Sequence, residues 1–394
     1  MHNSFWFLFK KQMKILIAPA SFKGSLSSIE AAKVMRRACL DVLPSSEIVV
    51  FPIADGGEGT IDVLKAIAGG RFVTEEIHDP IFRKIKGRWL RKGKTAYVEM
   101  AQAAGLTLLK EKERNPLRTT SFGVGEIIRS AISSGCREIF IGAGGSATND
   151  GGIGALTALG TNFFGKGGRR IYPGSGKDLV EIEGIDNTGL MSGIAECRFT
   201  ILSDVKNTLC GKKGAAYVYA PQKGADRREV EFLDRGLRNY GRMIRNATGI
   251  DVVHMPGAGA AGGIAGGFAV FMSAGIVSGI ETILKMGRFE GKIRKADLLL
   301  TGEGRMDNQT LYGKAPSVLA RLCRKYDVPL VILAGNVEKD VCRNQLFEDA
   351  VITSIVPGIV TLEEAIRNAG RYLYDATVQV LKPYRTHHSR YCSK

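Results

Sequence analysis

Residues 14–28 read KILIAPASFKGSLSS, and this stretch decides the fold class. The run from Lys14 to Ala18 is short, apolar and β-branched, which is typical of a buried strand. Ser27 and Glu30, three residues apart, form a capping box and predict that a helix begins there. A strand, a short polar loop and a helix follow one another, so the stretch is predicted to form a β-loop-α unit.

The same pattern recurs along the chain, where strand-like runs end on glycine and charged residues. The further strand runs are Ile48–Ile53, Glu138–Ile141, Arg198–Ser203, Asp297–Thr301 and Val328–Ala334. Helices are predicted from about Thr60 and, behind the cap formed by Thr361 and Glu364, to about Lys382. This alternation predicts an α/β protein with a largely parallel sheet, in which ligands bind at the carboxyl ends of the strands.

The clearest alternation lies in the outer thirds of the chain, so we predict two domains, one inserted into the other. Residues 13–80 and 290–385 form the first, discontinuous domain, and residues 81–289 form an inserted α/β domain. Residues 1–12 and 386–394 are predicted terminal extensions. The apolar run in residues 1–12 is too short for a signal peptide, and we expect that this segment can be removed without effect.

The charge balance indicates anionic partners. The 394 residues carry 55 basic and 39 acidic side chains, a formal net charge of +16. The basic residues are spread along the whole chain and match no nucleic-acid-binding motif, so we expect small anionic substrates rather than nucleic acid. The densest basic run, residues 83–94, alternates as an exposed pair of strands would.

The cysteines, histidines and apolar runs argue against disulfide-linked, zinc-binding and membrane-spanning classes of protein. None of the seven cysteines forms a C-x-x-C pair, and the five histidines show no zinc-binding spacing, so a reducing cytoplasm is expected. Residues 255–280 carry no charge but are rich in glycine and alanine and contain no leucine. We interpret them as a loop that enters a tightly packed buried helix, and we expect no membrane partner.

The segment GAGGSATNDGGIG, residues 142–154, follows a predicted strand and precedes a predicted helix. Backbone N–H groups in such a turn can hold a phosphate, helped by the helix that follows. A plain tight turn is the alternative; a dinucleotide-binding dehydrogenase would need an acid about twenty residues later, where the chain reads GKGGRRIYPG. The candidate phosphate ligands are Gly144, Gly145, Ser146, Asn149 and Asp150 together with the helix start.

Charged residues close to other strand ends are further candidates. Asp55 and Glu58 in ADGGEGT could hold Mg²⁺ or substrate hydroxyls, or could merely cap a helix. Asp204 directly follows a strand run and is interpreted as a metal ligand, a base or a turn former. Lys223, in the turn Pro-Gln-Lys-Gly, faces either an anion or solvent. Lone His254 is interpreted as structural.

The stretch GEGRMDNQTLYGKAP, residues 302–316, has the densest mixture of opposite charges. Its basic residues can hold phosphate or carboxylate, and its acids can bind a metal or accept a proton. Lys23, which precedes the first helix, could also reach an anion. No GxxxxGK[ST] motif occurs, so this is not a P-loop enzyme. Together these groups suit phosphoryl transfer to an alcohol.

Seven ordered stretches of the chain resemble the bacterial glycerate kinases that phosphorylate D-glycerate with ATP. The stretches cover residues 13 to about 380 and are KILIAPASFKGSLSS, ADGGEGT, NPLRTTSFGVGEIIRSAI, IGAGGSATNDGGIGALTALG, SDVKNTLCGKKGAAYVYAPQKGA, PGAGAAGGIAGGF and TGEGRMDNQTLYGKAP. The resemblance implies a flavodoxin-like domain and a second α/β domain compared with restriction-endonuclease folds. It also implies ATP and Mg²⁺ as cosubstrates and 2-phosphoglycerate as the usual product; 3-phosphoglycerate and a homodimer are left open.

With this resemblance, roles are predicted for individual residues. The catalytic candidates are Asp204, Asp307 and Lys23, and the metal candidates are Asp204, Asp307 and Glu303. Lys314 joins the phosphate ligands. Substrate contacts are expected from Ser21, Lys23, Asp55, Glu58 and Arg305.

One position departs from the family's first motif, P-D-S-F-K, because Ala20 stands where the motif has aspartate. Either that aspartate is dispensable, or this chain is weakened and binds glycerate and nucleotide without efficient turnover. A dehydrogenase is the third alternative, and it would have to transfer a hydride.

Overall fold

The computed structural model describes residues 12–390, so the expectation for residues 1–11 and for residues 391–394 lies outside the described residues. The strands of the described chain, β1 to β14, are Lys14–Ile17, Glu47–Val50, Arg71–His78, Lys84–Lys92, Thr95–Glu99, Glu138–Gly142, Asn162–Phe164, Arg170–Ile171, Gly184–Asp186, Arg198–Leu202, Gly275–Val277, Leu298–Met306, Leu330–Val337 and Ala350–Ser354. The α-helices, α1 to α14, are Ser28–Val42, Thr60–Ala68, Ala101–Ala104, Phe122–Ser133, Ile153–Ala158, Ala215–Tyr219, Arg227–Thr248, Ile264–Phe271, Gly279–Met286, Phe289–Ile293, Ala315–Tyr326, Lys339–Cys342, Leu362–Arg367 and Ala369–Arg390. The predicted α/β class is confirmed.

The chain forms two compact units, and the second is inserted into the first. Among the described residues, the first unit comprises residues 12–53 and 284–390, and the second comprises Ala54–Ile283. These limits differ from the predicted boundary after residue 80, because β3 pairs antiparallel with β4 along its whole length and thereby joins the sheet of the second unit. No local signal in residues 54–80 indicates which sheet they join.

The first unit is built on a five-stranded sheet in which every pairing is parallel. Its order is β14-β13-β12-β1-β2. Counted within this unit, that is the order 2-1-3-4-5 of flavodoxin-like folds, in which ligands bind where neighbouring loops diverge, between the first and third strands. In this chain those two strands are β1 and β12.

The core of the first unit follows from strands buried on both faces. Ile15 and Ile17 in β1 and Leu298 and Leu300 in β12 are completely buried. The helix α1 adds its apolar face, and its start is fixed as predicted: the Ser27 hydroxyl accepts the N–H of Glu30, whose carboxylate accepts the N–H of Ser27. The β1-loop-α1 unit therefore places the loop 18–26 at the carboxyl edge of the sheet.

The second unit contains a six-stranded mixed sheet with the order β11-β10-β6-β5-β4-β3 and a small three-stranded sheet with the order β8-β7-β9. Strands β5, β6, β10 and β11 are parallel, so their carboxyl ends share one edge. The basic run predicted as a strand pair forms β4, which lies between β3 and β5. The helix α8 is largely buried, as predicted for the glycine-rich stretch.

Two elements end at residues other than those predicted. The strand predicted to stop at Thr301 continues as β12 to Met306, because Gly302 and Gly304 permit a close approach of neighbouring backbone rather than ending the strand. The last predicted helix is divided: Thr361 caps α13, which ends at Arg367, and α14 then extends to Arg390.

Residues 12–390 include no helix with the length and apolar character that crossing a membrane requires. The six cysteines of this part of the chain are all free thiols.

Candidate active site

The carboxyl ends of β1 and β12 carry the first group of predicted site residues. The N–H of Ala20 donates to the carbonyl of Gly302 over 2.8 Å, so the loop after β1 runs beside the extended end of β12. A Cβ placed on Gly304 would lie 3.1 Å from the backbone nitrogen of Lys23. The glycines of β12 therefore let the Lys23 loop lie directly against the strand that carries Glu303.

Glu303 is the buried acid of this group, with only 7% of its surface exposed. Its Oε1 accepts the Thr310 hydroxyl over 2.9 Å. Burial raises the pKa of Glu303 to about 7; the neighbouring Asp307 adds to the rise, and the cations Lys314 and Lys23 oppose it. A carboxyl group with a pKa near neutrality at the ligand edge of a sheet is a candidate functional group.

The remaining charges of residues 302–316 are paired within the first unit. The Lys314 ammonium lies 2.9 Å from Oδ1 of Asp307. Arg305 forms an ion pair with Glu338 at 2.6 Å and lies 4.0 Å from Asp307, and its side chain is largely exposed. The structure therefore brings Glu303, Asp307 and Lys314 together, and Arg305 points toward Glu338, which was not among the predicted site residues.

Residues of the loop after β1 are accessible. Lys23 is exposed, and Ser21 and Ala20 are half-buried. Phe22 anchors the loop, because its backbone forms an isolated antiparallel β-bridge with Leu26 and its side chain is buried. Lys23 thus extends from an anchored turn, which suits a cation that meets an incoming anion.

In the second unit, three loops meet through glycine backbones. The N–H of Gly144 donates to the carbonyl of Gly56 over 2.9 Å. A Cβ on Gly144 would lie 2.5 Å from the Cα of Gly57, and a Cβ on Gly56 would lie 2.4 Å from the carbonyl oxygen of Leu202. The motifs ADGGEGT and GAGGSATNDGGIG are therefore in direct contact at the carboxyl ends of β6 and β10.

Asp204 follows β10 at this edge. Its Oδ1 accepts the Ser278 hydroxyl over 2.6 Å, and its Oδ2 accepts the N–H of Ile280 over 3.3 Å. Burial raises the pKa of Asp204 to about 6, and the charge of Asp55 adds to the rise. The structure thus brings the predicted residues Asp204 and Asp55 near each other.

Asp55 and Glu58 are both exposed, and a buried acid that the sequence analysis missed supports their loop. Glu99, at the end of β5, is fully buried and accepts the N–H groups of Gly59 and Ile61 over 3.0 and 3.2 Å. It therefore caps α2 from a distant strand. Burial raises the pKa of Glu99 to about 7 despite these bonds. No sequence-local signal marks it, because the cap comes from about forty residues away along the chain.

Asp150 has a different role from the predicted phosphate ligand. It is fully buried, and its carboxylate accepts the N–H and hydroxyl of Ser121 and the N–H groups of Gly152 and Gly154. Burial raises the pKa of Asp150. This carboxylate accepts the N–H groups at the start of α5, so those groups are not available to bind a phosphate. Asp150 is therefore a structural cap.

The other predicted ligands of this segment remain consistent with a ligand site. Ser146 is almost buried, and Asn149 is completely buried with no hydrogen-bond partner for either side-chain amide atom. The predicted alternative of an exposed Lys223 is wrong, because this side chain is buried. Its Nζ donates to the Ser146 hydroxyl over 2.9 Å and to the Thr148 carbonyl over 2.6 Å. Burial lowers the pKa of Lys223 to about 7.

The predicted metal set is divided between the units along the chain. Glu303 and Asp307 belong to the first unit, and Asp204 belongs to the second. Within residues 12–390, no group of three or more His, Cys, Asp or Glu side chains is arranged to hold a metal ion. Each unit instead presents a pair of neighbouring carboxylates, Glu303 with Asp307 and Asp204 with Asp55, in which one raises the pKa of the other.

Parallel sheets with clustered charges at their carboxyl edges are typical of α/β enzymes that bind small anionic substrates. Comparison with known proteins defines the class further. The profile of the glycerate kinase family matches residues 15–385. A glycerate kinase from Bacillus subtilis (strain 168) is 40% identical over 365 residues, which are 92% of this chain and 95% of that relative. A glycerate 2-kinase from Escherichia coli (strain K12) is 40% identical over 360 residues, which are 91% and 94% of the two chains.

A solved structure agrees with these sequence relatives. The crystal structure of a proposed glycerate kinase 2 from Salmonella typhimurium LT2 matches with a TM-score of 0.80 at 36% identity, and the match covers 96% of this chain and 100% of that chain. The protein is thus an α/β enzyme of the kinase class. The chain belongs to the glycerate kinase family.

Proposed function

We propose that the protein transfers the γ-phosphoryl group of ATP to a hydroxyl of D-glycerate and releases ADP, with 2-phosphoglycerate as the product. The observation that carries the proposal is the cluster of Glu303, Asp307 and Lys314 at the carboxyl end of β12, beside the Lys23 loop of β1. The names of the relatives, glycerate kinase and glycerate 2-kinase, support the same substrate.

The reaction needs groups that this chain supplies. A glycerate hydroxyl oxygen forms a bond to the γ-phosphorus, the bond from that phosphorus to the bridging oxygen breaks, and ADP keeps the electron pair. Catalysis of such a transfer rests on positioning and on neutralising charge. Lys23, Lys314 and Arg305 are the cations proposed to hold the carboxylate and phosphate groups. Asp204 is proposed to accept the hydroxyl proton, since a base works best with a pKa near the working pH and its pKa is raised to about 6.

The carboxylates also fit Mg²⁺. In nucleotide enzymes this ion is usually held by one or two carboxylates together with the substrate phosphates, so a cluster of three protein ligands is not required. We propose that Glu303 and Asp307 hold it, because burial and the charge of Asp307 raise the pKa of Glu303 and a nearby cation favours the ionised form of Glu303. When bound, Mg²⁺ neutralises charge on the transferred phosphoryl group.

We also propose that the enzyme acts in the cytoplasm. The proposal is supported by the six cysteines of the described residues, which are free thiols and mostly buried.

The test is a coupled assay of ADP release from ATP, with and without D-glycerate, followed by phosphorus NMR of the product. We expect D-glycerate-dependent ADP release and a 2-phosphoglycerate signal. L-glycerate is the matched control for the substrate. A 3-phosphoglycerate signal would correct the position of transfer. Binding of ATP and glycerate without ADP release would instead support the weakened variant suggested by Ala20.

A further inference from the structure

Buried Lys223 contacts the glycine segment, which is defined as residues 142–154. Lys223 ends a short 3-10 turn, Pro221–Lys223, and only 2% of its surface is exposed. Its ammonium donates to the side chain of Ser146 and to the backbone of Thr148, both within the glycine segment. Two positions of the segment are thus tied to one atom from an element more than seventy residues away along the chain.

Burial of the Lys223 ammonium lowers the stability of the fold. Burying an ammonium costs free energy unless it meets an anion, and the two oxygens that Lys223 contacts are uncharged. Asp150 is the acid whose charge favours the ammonium, and its carboxylate bonds elsewhere, to Ser121, Gly152 and Gly154. An apolar side chain of similar length would avoid the desolvation, so fold stability alone does not account for a lysine here.

The segment that Lys223 contacts needs external ties to keep one conformation. Gly144 and Gly145 impose little conformational preference of their own, and Gly145 adopts a φ of 74°. Backbone bonds anchor one side, since Gly145 and Ala147 pair with the chain around Gly105. Lys223 anchors the other side. A phosphate-binding loop has to hold its N–H groups within a few tenths of an ångström of their working positions.

We propose that Lys223 is a positioning residue that holds the glycine segment in the conformation that binds the phosphates of ATP, acting through Ser146 and Thr148. The proposal rests on the proposed kinase function and on the assignment of phosphate binding to this segment. Lys223 thereby contributes to ATP binding without touching a substrate itself. The Nζ bonds, rather than the bulk of the side chain, carry the effect.

Lys223→Met tests the proposal, because methionine keeps most of the length and removes the three donors. The exposed Lys177→Met is the matched control in the same unit. Steady-state kinetics are measured well below the melting temperature. We expect Lys223→Met to raise KM for ATP at least tenfold, and Lys177→Met to leave it within twofold. A purely structural role would lower the active fraction, and thus kcat, at unchanged KM.

A second variant tests the same contact from its other side. Ser146→Ala removes one of the two acceptors without touching the lysine, and we expect it to raise KM for ATP by roughly three- to tenfold. Because Ser146 is itself a candidate phosphate ligand, the double variant decides whether this effect acts through Lys223. In the double variant the two effects should combine to less than their product, since both remove one interaction. Unchanged KM for ATP in Ser146→Ala, or in a folded Lys223→Met, overturns the proposal. A wild-type enzyme without D-glycerate-dependent ADP release would overturn the proposed function instead.

Discussion

The ammonium of Lys314 lies 2.9 Å from Oδ1 of Asp307, so these two opposite charges after β12 form an ion pair. They are seven positions apart in the chain, and the 3-10 turn Asn308–Tyr312 between them brings them together. A phosphate or carboxylate that approaches Lys314 therefore meets a cation already shared with a carboxylate. This ion pair links the anion-binding role of Lys314 to the role of Asp307, and both are testable.

We expect Asp307→Asn to lower kcat by roughly 10²- to 10⁴-fold with little change in melting temperature. Asparagine keeps the size and an acceptor for Lys314 but loses the negative charge that a metal ion or a proton needs. Asp327→Asn is the matched control, since Asp327 is exposed in the same unit and its φ of 54° is one that asparagine adopts readily. Near-normal kcat together with a melting temperature several degrees lower would assign Asp307 a structural role.

We expect Ala20→Asp to increase activity. Residue 20 lies beside Gly302 of β12, where an aspartate would stand near the Lys23 turn. A gain of roughly 10²- to 10⁴-fold in kcat would identify the added acid as a base, and a fall in KM for D-glycerate alone would identify it as an orienting group. Ala20→Asn supplies the same shape without the charge. If neither kinetic constant changes, position 20 is not part of the site.

We expect Gly144→Ala to disturb the contact between the two glycine motifs of the second unit. The added methyl carbon would lie 2.5 Å from the Cα of Gly57, so backbone must shift. A loss of about 1–3 kcal/mol in the free energy of unfolding is expected, together with a lower kcat/KM for ATP. Denaturant unfolding and kinetics measure both. Gly275→Ala is the control, because a Cβ there meets nothing within 4 Å; equal behaviour of the two variants would show that the loops yield freely.

The buried cap Glu99 predicts a pH-dependent stability difference. Its pKa is raised from 4.5 to about 7, so Glu99 binds more proton in the folded state than in the unfolded state between these values, and its contribution to the unfolding free energy falls as the pH rises through that window. Glu99→Gln does not titrate. The stability of the variant relative to the wild type should therefore increase between pH 4.5 and 7.5, by up to about 3 kcal/mol. Thermal unfolding at both pH values measures the change, and a constant difference would contradict the raised pKa.

Local signals in the sequence determined much of the fold. Ser27 and Glu30 form both bonds of their capping box, and the helix α2 begins at Thr60 as predicted. These elements were predictable because a cap involves neighbours three residues apart, and because apolar runs between polar loops report burial directly. The proximity of Glu303, Asp307 and Lys314 is also local, since all three lie within twelve positions at the end of β12 and the start of α11.

The tertiary structure alone decided which strands and side chains meet. The strand β12 continues through Gly302 and Gly304 because the Lys23 loop and β13 approach their backbone closely, and those neighbours are distant in the chain. The contacts of Glu99 with the start of α2, of Asp150 with Ser121 and of Lys223 with Ser146 also join residues that are distant in the chain. Each of these buried charges is tolerated only where hydrogen-bond partners from other elements converge on it, and burial then shifts its pKa. A residue's type and its neighbours in the chain predict which element it joins, whereas the fold decides what it contacts and whether it is charged.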